Sequence, residues 1–358
     1  MLRSVSGLRS AHPVIALALT ALVTFCVIFS SGTESFDERA GRQLSERNSL
    51  RARDKARDLN RRRLARDRAA ALAAATFAGS GGYDAGPPVS AVVPAGQCVF
   101  GGTWRTATLQ KRVTVAQDTV LLTFGLADPS QPLGLSTCAC LLARGGAGAD
   151  GQPVVRPYTP VSTNALRGAF ELLVKVYPQG VLSRHLGRTL AIGSTMDFRH
   201  VPMNVKIQYP FASPAEPARR IGMIVGGTGI TPMLQALHAL LGTANDASDI
   251  SLLYSNRAQQ DILARPTLER WEAAHARRFR IYYTLTRETR ETSWSGLRGR
   301  IDAPMLRAHL PPPSDPRTLL FVCGPPEMYA ALSGPRNEKA LSGTLAALGY
   351  SAAQVVKF

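Results

Sequence analysis

Apolar and polar positions change texture four times along the chain. Residues 10–33 form a 24-residue stretch without a charged side chain, and its centre, VIALALTALVTFCVIFS, is apolar apart from small hydroxyls. A helix needs about 20 residues to cross a bilayer, so one span over residues 12–31 is expected. Residues 38–77 then lose the apolar run. Leu44, Leu50, Leu59 and Leu64 are too sparse for a core face, while Glu38 with Arg42 and Asp58 with Arg62 stand at helical i,i+4 spacing. Residues 78–97 carry five Gly and three Pro in 20 positions, a composition that predicts a flexible tether.

From residue 98 onward the pattern predicts folded protein. Between 104 and 200, short Val-, Thr-, Leu- and Phe-rich runs such as TVLLTFGL and FELLVKVY are punctuated by Gly, Pro, Asp and Asn. These are strands and turns, and an antiparallel barrel is their natural closure. From 216 the pattern changes to strands alternating with helices. Ile221–Val225 runs into GGTGITP and then MLQALHALL, with Thr231 read as the N-cap, Pro232 as the first helical residue and Gly242 as the C-cap. Further strands are expected at DISLLYSN, FRIYYTL and TLLFVCG, with helices near 266–278 and 326–333. The expected fold class is α+β in two domains: an antiparallel β-barrel over 98–215, then a Rossmann-like α/β domain over 216–358, behind an N-terminal transmembrane segment (1–37).

The 358 residues are 45% hydrophobic and 19% charged, which excludes a disordered chain, a collagen and a polytopic membrane protein. Five cysteines (Cys26, Cys98, Cys138, Cys140 and Cys323) without a CxxC pair argue against a disulfide scaffold or a zinc site. Of the net charge of +17, residues 38–68 hold +7, from 12 basic and 5 acidic side chains. That arm reads first as a solvated helix and second as a contact for acidic lipid headgroups. No aromatic residue interleaves its arginines, so nucleic acid is not an expected partner. The opening MLRSVSGLRS, basic and free of acid, fits a mitochondrial address; a signal peptide is the alternative. The excess of basic residues after the span puts the bulk of the chain on the cytosolic side, on the endoplasmic reticulum or the outer mitochondrial membrane.

Four segments carry chemistry. Arg156-Pro157-Tyr158-Thr159-Pro160-Val161-Ser162 combines a fixed cation, an aromatic face and two hydroxyls, and Lys175-Val176-Tyr177 precedes a glycine turn at Gly180-Val181-Leu182-Ser183. Arginine's planar fork suits a diphosphate, tyrosine stacks on a flat heterocycle, and backbone N–H groups after a glycine close on phosphate oxygens. A flavin dinucleotide needs all three. Gly226-Gly227-Thr228-Gly229 joins a strand to a helix, the arrangement that cradles phosphate, although it is neither GxGxxG nor a Walker loop. Cys323-Gly324-Pro325-Pro326-Glu327-Met328 follows a strand end, where open α/β sheets bind ligands. His238 reads as a packed or solvent-facing helix residue.

RPYTPVS, KVY with GxxS, GGTGITPMLQ, HLPPP at 309–313 and CGPPEM, in this order, resemble the NADH-cytochrome b5 reductases of the ferredoxin-NADP reductase superfamily. The resemblance covers residues 104–358. It implies an FAD-binding barrel, an NADH-binding α/β domain, hydride transfer from nicotinamide to flavin, and single-electron transfer to cytochrome b5 or another acidic haem protein. By the same resemblance Arg156 would bind the FAD diphosphate, Tyr158 would lie against the isoalloxazine and Thr159 near its N5, with Pro157 and Leu173 as further cofactor-binding residues. Lys175 and Tyr177 would line the flavin, and Gly180, Leu182 and Ser183 would hold its phosphates. Gly226, Gly227 and Thr228 would receive the nicotinamide nucleotide, Thr231 would touch FAD, and Cys323, Pro325 and Met328 would flank the nicotinamide. Thr159, Lys175 and Cys323 are the candidate catalytic residues.

Two departures stand out. Phe198-Arg199 leads into His200-Val201-Pro202-Met203 where relatives have a Gly-Pro turn. Where NADH-specific relatives carry an acidic residue, this chain has Thr286-Arg287, which removes a repulsion and adds a cation, so NADPH is an expected alternative donor. A quinone, ferric chelate or desaturase-type carrier is the alternative acceptor. A tethering protein that keeps the fold without catalysis is the alternative of another class. Oligomeric state is not legible in the sequence.

Overall fold

The computed structural model describes residues 83–212, 218–288 and 294–358. The expected span, the basic arm and the first part of the tether lie outside the described residues. Among the described residues no helix is long and apolar enough to cross a membrane.

The first half is a six-stranded antiparallel sheet in the order β4-β3-β6-β1-β2-β5. Its strands are β1 (Arg105–Ala116), β2 (Thr119–Gly125), β3 (Leu141–Ala147), β4 (Pro153–Tyr158), β5 (Ala169–Lys175) and β6 (Thr195–Arg199). β1 pairs with both β2 and β6, and register shifts between Leu109 and Lys111 and between Thr114 and Ala116 let this long strand bend between them. The sheet curls until Val161 N–H, just past β4, donates to Glu171 C=O on β5 at 2.8 Å, bringing the two edges together. Inside it, Phe100, Phe124, Phe170 and Phe198 are fully or almost fully buried, with ring centroids 5.0–5.6 Å apart. Edge-to-face and offset contacts of this kind add to the area each ring removes from water.

The second half is a six-stranded parallel sheet in the order β10-β9-β8-β7-β11-β12. It comprises β7 (Arg220–Gly226), β8 (Asp249–Asn256), β9 (Phe279–Leu285), β10 (Leu297–Arg298), β11 (Thr318–Cys323) and β12 (Val355–Lys357). β7 is buried from Ile221 to Gly226, as a strand covered on both faces must be. The chain builds outward from β7 to β10 and then returns to lay β11 on the other side of β7. That reversal opens a crevice beyond the C-terminal ends of β7 and β11, where this fold class binds ligands.

The helices are α1 (Val181–Arg184), α2 (Ile230–Gly242), α3 (Arg265–Ala274), α4 (Ala303–His309), α5 (Pro326–Leu332) and α6 (Gly343–Ala347). The caps of α2 differ from expectation. Gly229 is the N-cap, and Thr231 is the second helical residue, donating its hydroxyl to Thr228 C=O at 3.2 Å. Gly242 is the last helical residue rather than a cap. A Cβ there would lie 2.5 Å from Ser90 N, so the glycine permits a close backbone approach.

That approach corrects the tether. Residues 83–97 are an extended strap laid across both halves. On the barrel side Tyr83 donates to Val161 C=O at 3.3 Å and Asn164 donates to Ala91 C=O at 3.0 Å. On the α/β side Ala85 N–H meets Thr267 Oγ1 at 3.1 Å, Trp271 Nε1 donates to Gly86 C=O at 2.8 Å, and Arg270 forks onto Asp84. His238 is indeed packed: it is buried, meets the Trp271 ring edge-to-face at 4.8 Å, and its Nδ1 accepts Val89 N–H at 3.1 Å. Glycine and proline prevent this segment from forming its own helix or sheet, and neither prevents it from docking on another surface.

Candidate active site

The barrel and the α/β sheet together enclose a cavity of about 910 Å³. All the site residues expected from the sequence line it except Arg287. The two walls differ in kind.

β4 and β5 supply the barrel wall. Arg156 is exposed, and among the described residues its guanidinium bonds only to Val155 C=O, at 2.8 Å, leaving donors free for a ligand. Tyr158 is half-buried, and burial pushes its phenol up to about 12. Tyr177 is 49% exposed at the cavity rim. Lys175 is not a free cation. Its Nζ lies 2.9 Å from Asp118 of the barrel and 4.0 Å from Asp261 of the α/β domain, so it ties the halves together beneath the cavity. Ser183 Oγ accepts Tyr177 N–H at 3.2 Å, holding the turn that leads into α1, and a Cβ on Gly180 would strike that oxygen at 2.3 Å.

The α/β wall is mostly backbone. Gly227 has φ +54 and open space where a Cβ would stand, and with Gly226, Thr228 and Gly229 it lines the cavity. A Cβ on Gly226 would meet Pro325 Cδ at 2.8 Å, and one on Gly229 would meet Cys323 C=O at 2.1 Å. The glycine loop and the Cys323-Gly324-Pro325 turn are therefore pressed together without room for side chains. Burial pushes the Cys323 thiol up to about 11, so it stands protonated at neutral pH and is no nucleophile.

The chain following β6 resolves the departure at His200. His200 is buried, its N–H donates to Phe100 C=O at 3.0 Å, and its Nδ1 lies 3.0 Å from Cys140 C=O, to which Asn204 also donates at 3.1 Å. The altered loop thus pins the segment carrying Cys138 and Cys140 and still brings Asn204 and Lys206 to the cavity. Asn204, Lys206, Asn256, Arg257, Arg300 and Arg336 are lining residues the sequence reasoning missed. Asn256 and Arg257 had a signal: they end and follow the expected strand DISLLYSN, and strand ends face the crevice.

Residues 106–207 match the model of the oxidoreductase FAD-binding domain and residues 223–333 that of the oxidoreductase NAD-binding domain. The chain is 36% identical over 260 residues to NADH-cytochrome b5 reductase 2 of Aspergillus clavatus, covering 71% of this chain and 77% of that one. The chain belongs to the NADH-cytochrome b5 reductase family. It is also 39% identical over 269 residues to an NADH-cytochrome b5 reductase-like protein of Arabidopsis thaliana, covering 71% and 76% of the two chains. Among solved structures it resembles the cytochrome b5 reductase domain of Ulva prolifera nitrate reductase, with a TM-score of 0.62 and 30% identity over 76% of this chain and all of that one. The protein is thus an oxidoreductase with FAD- and NAD-binding domains. The residues present fit such cofactors: a fork cation with free donors, half-exposed aromatic faces, and two glycine turns whose backbone no Cβ could replace.

Proposed function

We propose that this protein is an FAD-dependent reductase that takes hydride from NADH and passes single electrons to cytochrome b5. The observation that carries the reading is the single cavity faced by Arg156, Tyr158 and Tyr177 from one half and by the Gly226–Gly229 loop and Cys323–Met328 from the other. Bound FAD supplies the acceptor for a hydride and the store from which electrons leave singly. Arg156 holds the diphosphate, with the Gly180–Ser183 turn closing on its oxygens. Tyr158, Thr159, Leu173 and Tyr177 would line the flat ring. The glycine loop and the Cys323–Pro325 turn orient the nicotinamide, and the neutral Cys323 thiol and Met328 thioether exclude water beside it. No side chain has to exchange a proton in the hydride step. Lys175, clamped by Asp118 and Asp261, keeps the two walls in register.

Thr286 at the cavity favours a second donor, NADPH, since a neutral side chain there does not repel a 2′-phosphate. The uncharged stretch at 10–33 supports a membrane anchor that leaves the reductase on the cytosolic face. The test is spectroscopic. Purified protein should carry flavin absorbance that NADH bleaches anaerobically, and added oxidised cytochrome b5 should then be reduced. Bleaching without cytochrome reduction, but with turnover of a quinone or ferric chelate, would move the acceptor; a colourless protein that takes up no FAD would sink the enzyme.

A further inference from the structure

Past the end of β4 the chain leaves the ladder over residues 159–162, and the carbonyls of this turn are held from outside the barrel. Gln235 Nε2 donates to Pro160 C=O at 2.8 Å and to Ser162 C=O at 2.6 Å. Between them, Val161 C=O accepts the Tyr83 hydroxyl of the strap at 3.3 Å. The barrel adds two bonds of its own, from Val161 N–H to Glu171 C=O at 2.8 Å and from Glu171 N–H to Ser162 Oγ at 2.9 Å. A side-chain amide nitrogen carries two hydrogens, and Gln235 directs both at this one turn. Pro160 and Val161 are buried, so carbonyls there need protein partners.

The turn fixes what precedes it. Thr159 lines the cavity and is joined to Pro160, whose ring sets its own φ and restricts the residue before it to extended backbone. Anchoring the carbonyls on either side of Val161 therefore leaves the Thr159 main chain little freedom. On the other half, Gln235 stands four residues after Thr231 on α2, so the two share a helix face. Thr231 and the Gly226–Gly229 loop at the head of α2 line the cavity, whereas Gln235, one turn further on, does not. One helix thus carries the glycine loop at its start and a clamp on the Thr159 turn in its next turn. The barrel meets the same helix again through Cys138, whose thiol donates to Pro232 C=O at 3.3 Å.

We propose that Gln235 is a positioning residue for the hydride step: by holding Pro160 and Ser162 it keeps Thr159 in place on the barrel wall and fixes that wall to the helix bearing the glycine loop. Gln235 does not line the cavity, so it acts through Thr159. The inference rests on the FAD and NADH reading of the cavity. What the turn requires is hydrogen-bond donors within reach of two carbonyls, and an amide is one way to supply them. Elsewhere in this chain a lysine does the same: Lys357 Nζ donates to the carbonyls of Ser333, Pro335 and Ala340 at 2.9–3.0 Å.

The test is a double-mutant cycle on the full-length flavoprotein. Gln235→Met keeps the length and packing of the side chain and removes both donors. It should lower kcat with NADH by about tenfold while KM stays within about twofold, the signature of lost positioning rather than lost binding. Thr159→Val should slow the enzyme by a similar factor, and the double variant should be no slower than the slower single one, because the two residues act as a unit. Visible absorption and circular dichroism of the bound flavin should change in the same way in all three variants, a readout independent of turnover. Gln235→Lys, which restores donors, should keep kcat within about threefold of native. Should Gln235→Met fail to fold, Gln235→Asn, one methylene short of the carbonyls, takes its place in the cycle. Native kcat and a native flavin spectrum in the donor-removing variant, losses that multiply to about a hundredfold in the double variant, or a Gln235→Lys protein as slow as Gln235→Met each overturn the inference while leaving the reductase intact. A protein that takes up no FAD overturns the cofactor reading and this inference with it.

Discussion

The barrel wall of the cavity presents side chains, whereas the α/β wall presents backbone. Arg156 and Tyr177 project from strand ends and can be changed without disturbing what lies beneath them. Gly226, Gly229 and Gly324 stand where two turns touch, and a Cβ on any of them would lie 3.0 Å or closer to a neighbouring heavy atom. The difference teaches what a substitution reports: at Arg156 and Tyr177 a change in ligand affinity, at the packed glycines a change in fold.

The sharpest way to break the comparison is Gly229→Ala. Its φ of −60 suits alanine, so any loss comes from the Cβ pressed 2.1 Å from Cys323 C=O. A destabilisation of about 3 kcal/mol or more is expected, read as a fall in the denaturation midpoint together with loss of NADH-dependent flavin reduction. If the variant is as stable as the native chain, the two turns are not in contact.

The strap, which spans both walls, gives the next effect. Burial pushes His238 down from 6.5 to about 4, and its Nδ1 accepts Val89 N–H only when unprotonated. Between those values the unfolded chain takes up a proton that the folded chain refuses, so stability falls as pH drops from 6.5 toward 4. The loss reaches about 3 kcal/mol at the acid end. Denaturant titrations across that range should show it, and His238→Gln should flatten the slope; an unchanged slope would detach His238 from the strap.

Arg156→Ala should have the smallest effect on the fold and a clear one on the ligand. Losing a charged hydrogen-bond donor is worth about 1.5–3 kcal/mol, so FAD should bind roughly 10- to 100-fold more weakly. The flavin-free form should denature where native apoprotein does, because among the described residues Arg156 bonds only to its own neighbour's carbonyl. A large shift in that midpoint would show that the barrel wall, too, is structural.

Much of this was legible in the chain. Short Val-, Thr-, Leu- and Phe-rich runs between turn residues predicted the barrel strands, and Arg156–Thr159, GGTG and CGPPEM marked residues that all reach one cavity. What escaped was decided by contacts distant in sequence. The composition of residues 78–97 says that the segment cannot form its own ladder, and says nothing of Trp271, Thr267 and His238 waiting some 150 to 190 residues away. Thr231 looked like a cap because threonine before proline usually is one, yet the Gly227–Gly229 turn starts the helix earlier.

The sequence by itself determined which elements form and which chemical groups are available, because periodicity, turn residues and side-chain chemistry are local properties. Only the tertiary structure decided which arginines face the ligand. Arg287 sits beside Thr286 in the chain and misses the cavity, while Arg300 reaches it because β10 pairs with β9 and the backbone turns at Gly299. Sheet order and a single positive φ set that choice, and neither is written in the spacing of charges along the chain.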